Sequence, residues 1–150
     1  MDFSSQIILE VTIFQNKLRS DLSNIPIRWV APETMHLTLQ FLGDVPQSQI
    51  PAIQEAISTS AAGFSVIPLH IGSIGSFPSY KNPQVLWLGI SANQTLKKIA
   101  TQLQAALQPL GFKPEKDFLP HLTLGRLNRM ATREQQNLVS AVLARWQSVD

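Results

Sequence analysis

His36-Leu37-Thr38-Leu39 in the first half of the chain recurs as His121-Leu122-Thr123-Leu124 in the second. The surroundings recur with it. Each copy reads as helix, short Pro-containing loop, His-Leu-Thr-Leu strand, polar turn and helix. The second copy is preceded by a strand-like run at 85–90, whereas the first begins directly at its helix. The first is followed by a strand-like run at 64–72, whereas the second ends just after its helix. On this template each end lacks one strand.

Working outward, four segments carry the 3.6-residue period. Phe3, Ile7, Val11, Phe14, Leu18 and Leu22 define the first; its β-branched run at 7–13 favours a strand locally, and the period decides for a helix. The second starts near Ser48, with Pro51 in the first turn and Ile50, Ile53 and Ile57 along it. The third carries Leu96, Ile99, Leu103, Leu107 and Leu110, with Gly111 as a stop. The fourth opens on Thr132-Arg133-Glu134-Gln135, a capping box, and continues through Leu138, Val142 and Trp146. Strand-like runs lie at 27–30, 36–42, 64–72, 85–90 and 119–124, and Phe77-Pro78-Ser79-Tyr80-Lys81-Asn82-Pro83 reads as a gap between strands. Helices alternating with strands make the chain α/β or α+β. No low-complexity stretch or charge block divides it, so one domain over residues 1–150 is expected.

Composition excludes several classes. At 44% hydrophobic and 15% charged, the chain has the opposite balance to a disordered one. The absence of cysteine removes disulfides, thiolate nucleophiles and Cys-based zinc sites. The longest apolar run falls far short of the ~20 residues that span a bilayer, and Met1-Asp2-Phe3-Ser4-Ser5 has no basic signal-peptide start. No membrane association and a cytoplasmic location are expected. A net charge of +2 suits a small anionic ligand and is too weak to wrap a long nucleic acid.

Side chains alternate along a strand, so His36 and Thr38 share one face while Leu37 and Leu39 anchor the other. His121 and Thr123 do the same over Leu122 and Leu124. Two such strands related by a pseudo-twofold axis bring two imidazoles and two hydroxyls around one cleft, a set that suits a phosphate ester. Imidazoles serve as base and acid near neutral pH, and threonine hydroxyls donate to non-bridging oxygens where charge develops. No metal is required. Threonine fills 8 of 150 positions, so a given histidine has about a 5% chance of Thr two residues on. Two hits among three histidines by accident is on the order of 1%. The competing reading is two core strands with similar residues and histidines satisfied by the backbone.

The paired His-x-Thr-x motifs resemble the two-histidine phosphoesterase superfamily. Thr34-Met35-His36-Leu37-Thr38-Leu39-Gln40-Phe41-Leu42-Gly43 and Pro120-His121-Leu122-Thr123-Leu124-Gly125-Arg126 are similar to its RNA 2′,3′-cyclic phosphodiesterase branch, also called 2′-5′ RNA ligase-like. Val85-Leu86-Trp87-Leu88-Gly89 matches that branch's middle strand, and the resemblance runs from about Phe3 to Trp146. It implies a bilobal α+β fold with pseudo-twofold symmetry and both motifs facing a central cleft. It implies His36 as proton donor, His121 as proton acceptor, Thr38 and Thr123 holding the phosphate, and Arg126 as a nearby cation. No cofactor is implied. The implied substrates are RNA ends or nucleotides bearing a 2′,3′-cyclic phosphate, opened to 2′-phosphomonoesters. Family chains usually carry a strand before the first helix and strands after the last. This chain carries neither, as its repeat also indicates, so an unpaired sheet edge and edge-strand self-association are expected.

Other residues carry less. Arg126 suits bidentate phosphate binding or a surface ion pair. Phe41 can offer a face to a base or fill a core. Tyr80 and Lys81 sit in a loop that could rim the cleft, and His70, with no Thr two positions on, reads as a surface or satisfied histidine. Two alternatives to the RNA-end hydrolase stay open. One is a small-nucleotide cyclic phosphodiesterase, for example acting on ADP-ribose cyclic phosphate; the other is a non-catalytic RNA-end binding module.

Overall fold

Ser4 opens the first helix, its hydroxyl accepting the Ile7 N–H at 3.4 Å, and α1 runs Ser5–Asp21. The computed structural model describes residues 3–91, 94–114 and 118–147. Over 7–13 the helical period prevails because Val11, Gln15, Leu18 and Leu22 all fall on one buried face. A strand would divide Val11 and Gln15 from Leu18 and Leu22. Next come β1 (Ile27–Trp29), α2 (Ile50–Ala61), β2 (His70–Ser79), β3 (Asn82–Ser91), α3 (Gln94–Leu107), β4 (His121–Leu127) and α4 (Arg133–Gln147). Short 3-10 turns lie at Pro32–Thr34, Gln47–Gln49 and Gln108–Leu110. No helix among the described residues is long and apolar enough to cross a membrane.

The chain divides into two units. The first contains residues 1–37, 71–90 and 121–150; the second contains 38–70 and 91–120. In the first, the sheet has the order β1-β4-β3-β2, with β4 antiparallel to both of its neighbours. Leu86 and Leu88 of β3 and Leu122 and Leu124 of β4 are fully buried, as are Val11 and Leu18 of α1 and Val139 and Leu143 of α4. The two helices are tied at one end, where the Asp21 carboxylate accepts from Arg145 at 2.9 Å and from Trp146 Nε1 at 2.8 Å. The capping box forms as expected: Gln135 N–H donates to Thr132 Oγ1 at 3.2 Å and Thr132 N–H to Gln135 Oε1 at 2.9 Å.

In the second unit α2 packs on α3 around Ile53, Leu103 and Leu107. Leu39, Leu42, Val45 and Phe112 close this small core. Gly111 ends the helical stretch in the left-handed conformation, φ 93°, with its N–H donated to Gln108 O at 3.0 Å.

Two expected strands and one expected gap differ. Residues 36–42 form no strand: no described strand lies beside them, and an unpaired segment has no ladder for its N–H and C=O groups. Alternation survives there as burial alone, with Met35 and Leu37 buried and His36 exposed. The run at 64–72 becomes strand only from His70, since Phe64 N–H turns back to Ala61 O at 3.2 Å and Pro68 offers no donor. The expected gap at 77–83 is instead a hairpin, with β2 running through a cis Phe77–Pro78 bond and Tyr80-Lys81 as the turn. Proline is tolerated here because β2 is an edge strand and Pro83 stands at the beginning of β3.

Candidate active site

Strand β4 carries the second motif, and its register with β3 determines which side chains meet. Gly89 lies opposite His121 and Trp87 opposite Thr123, after which the register slips so that Leu86 faces Gly125 and Val85 faces Arg126. Leu124 is the residue left without a counterpart on β3, a β-bulge. Opposite residues in an antiparallel pair point to the same side. Strict alternation from His121 and Thr123 would send Arg126 to the other face; the bulge returns it to theirs. The bulged backbone is pinned, because Leu124 O accepts Val30 N–H at 2.9 Å and Gln15 Nε2 at 2.9 Å. The second Gln15 amide proton goes to Val30 O at 2.7 Å. Gly125 admits β1 closely: a Cβ there would lie 2.8 Å from Ile27 Cγ2.

His121 is half-buried in an aromatic corner. Its ring centroid lies 5.0 Å from Phe77 and 5.9 Å from Trp87, which are 5.3 Å from each other. Gly75 makes room for the indole, since a Cβ there would collide with the six-membered ring of Trp87. A Cβ on Gly89 would touch Trp87 Cζ3 at an ordinary 3.5 Å and press instead on Ser73 O of β2 at 3.1 Å. Trp87 Nε1 is buried and has no acceptor among the described residues. The side chains of Phe77, Trp87 and His121 therefore fix one another, and the imidazole is presented at a defined angle beside Thr123.

The first motif is held differently. His36 follows the 3-10 turn Pro32–Thr34 and is exposed, with Nδ1 at 3.2 Å from Thr34 O. A carbonyl only accepts, so Nδ1 carries the proton in this contact and Nε2 is the free ring nitrogen. Both histidines fall in the first unit with Thr123 and Arg126; Thr38 and Phe41 fall in the second. There Thr38 is half-buried and Phe41 is 76% exposed, which removes the core reading of Phe41. Gln40, between them, donates to Lys113 O at 3.1 Å.

Tyr80 and Lys81 form the hairpin turn, but Tyr80 turns toward α4. Its hydroxyl donates to Ile74 O at 2.8 Å and bonds to Gln147 Nε2, and Ser140 Oγ donates to its carbonyl. His70 is exposed at the start of β2, its carbonyl accepting Ser91 Oγ at 3.3 Å, in keeping with its surface reading. No three His, Asp or Glu side chains converge among the described residues.

Gln15, Gly75 and Phe77 escaped the sequence reading. A polar residue in the apolar stripe of α1 was the available signal for Gln15. Phe77 and Gly75 carry no such signal, because Pro78 and Pro83 give their stretch the look of a gap between strands.

Comparison with known proteins bears on both halves of the chain. The family model described as LigT like Phosphoesterase matches residues 3–87 and 88–149, one His-Leu-Thr-Leu copy in each stretch. The RNA 2′,3′-cyclic phosphodiesterase of Methanothermobacter thermautotrophicus is 30% identical over 125 residues, 83% of this chain. The chain spans 67% of that relative and little more than half of two others of the same name, from Archaeoglobus fulgidus (57%) and Thermotoga maritima (53%). Among solved structures, a Thermus thermophilus protein superposes with a TM-score of 0.75 at 24% identity, covering 87% of this chain and 73% of that one. Escherichia coli LigT complexed with 3′-AMP gives a TM-score of 0.63 at 24% identity, covering 88% and 73%. These likenesses establish the α+β fold with four helices and an antiparallel sheet. With both halves matched around their own copy of the repeat, the chain belongs to the LigT-like phosphoesterase family.

Proposed function

We propose that this chain opens 2′,3′-cyclic phosphodiester ends of RNA to 2′-phosphomonoesters by acid–base chemistry divided between two histidines. The observation that carries the reading is the shared face of His121, Thr123 and Arg126 on β4. The same His-x-Thr spacing at His36 and Thr38 supports it, as do relatives named for this activity at 30%, 35% and 37% identity.

In the proposed step His121 takes a proton from water as its oxygen attacks phosphorus. The P–O3′ bond breaks, its electron pair stays on O3′, and His36 protonates that oxygen through Nε2. The hydroxyls of Thr38 and Thr123 donate to the non-bridging oxygens, and Arg126 adds positive charge where the transition state gathers negative charge. One water is consumed, and each proton transfer contributes typically about 10²–10⁴ in rate.

The test is mass analysis of an oligonucleotide ending in a 2′,3′-cyclic phosphate after incubation with the protein in EDTA. A gain of one water, with phosphate on the 2′ oxygen, is the expected result. No gain, or a 3′-phosphate product, overturns the reading. Activity lost in EDTA and restored by a metal ion overturns the two-histidine mechanism.

A further inference from the structure

β1 lies beside β4 so that Arg28 stands directly opposite Arg126. Like charges placed opposite one another on a sheet destabilise it. No carboxylate among the described residues pairs with either guanidinium, and Asp21–Arg145 is the one ion pair described. Both arginines line a hollow of about 620 Å³ at this end of the sheet, together with Asn128 and Arg129 and without any acidic side chain. Three arginines around one hollow, two in cross-strand register, make a binding place for an anion.

β3 serves as a ruler from this hollow to the proposed catalytic residues. The counterparts of His121, Thr123 and Arg126 on β3 are Gly89, Trp87 and Val85, two residues apart each time. At about 3.3 Å per residue, each step is roughly 7 Å. Arg126 therefore stands roughly 7 Å beyond Thr123, and Arg28 stands one strand further out, about 5 Å to the side. Arg28 is displaced from the reacting phosphate in two directions, in a place suited to the next phosphate along a nucleotide chain.

We propose that Arg28, with Arg126 and Arg129, forms a subsite for a second phosphate: the one on the 5′ oxygen of the nucleoside whose 2′,3′-cyclic phosphate is opened. This rests on the hydrolase reading above and adds a substrate preference to it. The same chemistry arises as an internal phosphodiester of RNA or as the 5′-phosphomonoester of a nucleotide. Guanidinium forks bind both through paired N–H donors.

The experiment compares kcat/KM for three cyclic phosphates: a nucleoside, its 5′-phosphorylated form, and a dinucleotide with an internal phosphodiester. The intact protein should prefer the two substrates that carry a second phosphate. In Arg28→Gln that preference should fall about 10-fold, mainly through KM, and the salt dependence for those substrates should lose about one charge contact. Arg28→Lys should restore part of it. A fall for both doubly phosphorylated substrates, or for the dinucleotide alone, supports the subsite, the second case identifying the phosphodiester as its ligand. An equal loss on all three substrates, or no change in the ratio, overturns it. Arg129→Gln gives the same readout should Arg28→Gln fold poorly, which thermal melting reports. If the protein opens none of the three, the hydrolase reading fails. The subsite is then judged by affinity for a nucleoside 2′-phosphate with and without a 5′-phosphate, and equal affinity overturns it.

Discussion

Gly75→Ala is a one-carbon change on β2 aimed at a histidine two strands away. The added Cβ would stand within 3.0 Å of Cζ2, Cη2 and Cε2 of Trp87, a separation that real Cβ atoms essentially never show. Those atoms belong to a rigid bicycle, so the indole has to withdraw as a body by more than about 1 Å to regain ordinary contact. It cannot do so alone, because Trp87 is 5.3 Å from Phe77 and 5.9 Å from His121, and Phe77 is 5.0 Å from His121. Overpacking of this kind costs about 1–3 kcal/mol of stability. A displacement of about 1 Å at a group that moves a proton can cost about 10²-fold in rate. The expected result is a folded protein with kcat lower by roughly 10² and KM changed far less.

The assay is steady-state hydrolysis of a cyclic-phosphate dinucleotide, with near-ultraviolet circular dichroism reporting on Trp87. Trp87→Phe removes the ring atoms in conflict, so combining it with Gly75→Ala should recover stability relative to the sum of the two single changes, by about 1 kcal/mol or more. A Gly75→Ala protein with wild-type kcat and an unchanged aromatic spectrum would refute the reasoning. So would a double variant whose effects simply add.

Gln15→Leu strips two hydrogen bonds from Val30 O and Leu124 O and should cost about 2–3 kcal/mol in urea unfolding; a loss below about 0.5 kcal/mol would mean that the bulge holds itself. Thr132→Ala removes the cap of α4 and should cost about 1 kcal/mol without altering kcat. Burial raises the Tyr80 phenol above its ordinary 10.0, with the Gln147 hydrogen bond opposing the shift. Its contribution is therefore full below pH 10.0 and lost as pH rises through the folded-state value, so thermal midpoints should fall more steeply in alkali for the wild type than for Tyr80→Phe. An aryl phosphodiester, whose leaving group departs without a proton, should rescue His36→Ala and leave His121→Ala impaired; rescue of His121→Ala alone reverses the proposed roles.

Helices were legible because each buries one stripe and carries its own punctuation. Thr132 and Gln135 close the capping box, Gly111 stops the stretch after α3, and Pro51 sits in the first turn of α2. These are local devices that a sequence prints in full. Strands were less legible, because a strand exists only where a neighbour supplies its ladder. Residues 36–42 alternate as well as 119–124 do, yet only the second copy is paired, and alternation does not reveal which. Proline misled at Pro78 for the same reason: whether its missing donor matters depends on edge position, which is a property of the sheet.

The assignment of Arg126 shows the limit most clearly. Sequence order placed it just after the motif strand, and period-two alternation, applied strictly, would have put it on the core face with Leu122 and Leu124. The bulge at Leu124 inverts that parity, and it is held from outside the strand by Gln15 and Val30. Gly125 was the local hint, since glycine in a strand often marks a bulge or a close approach. One unpaired residue thus places a cation on the face of His121 and Thr123, and brings it into register with Arg28 across β1. The burial pattern agrees, with Gly125 and Leu127 buried and Arg126 exposed, so parity after the bulge follows the core as it did before. Strict alternation with all seven residues of β4 kept would turn Leu127 out onto the face of His121 and Thr123 and send Arg126 to the core face. The irregularity is therefore a condition for a packed core and this candidate phosphate site to share one short strand.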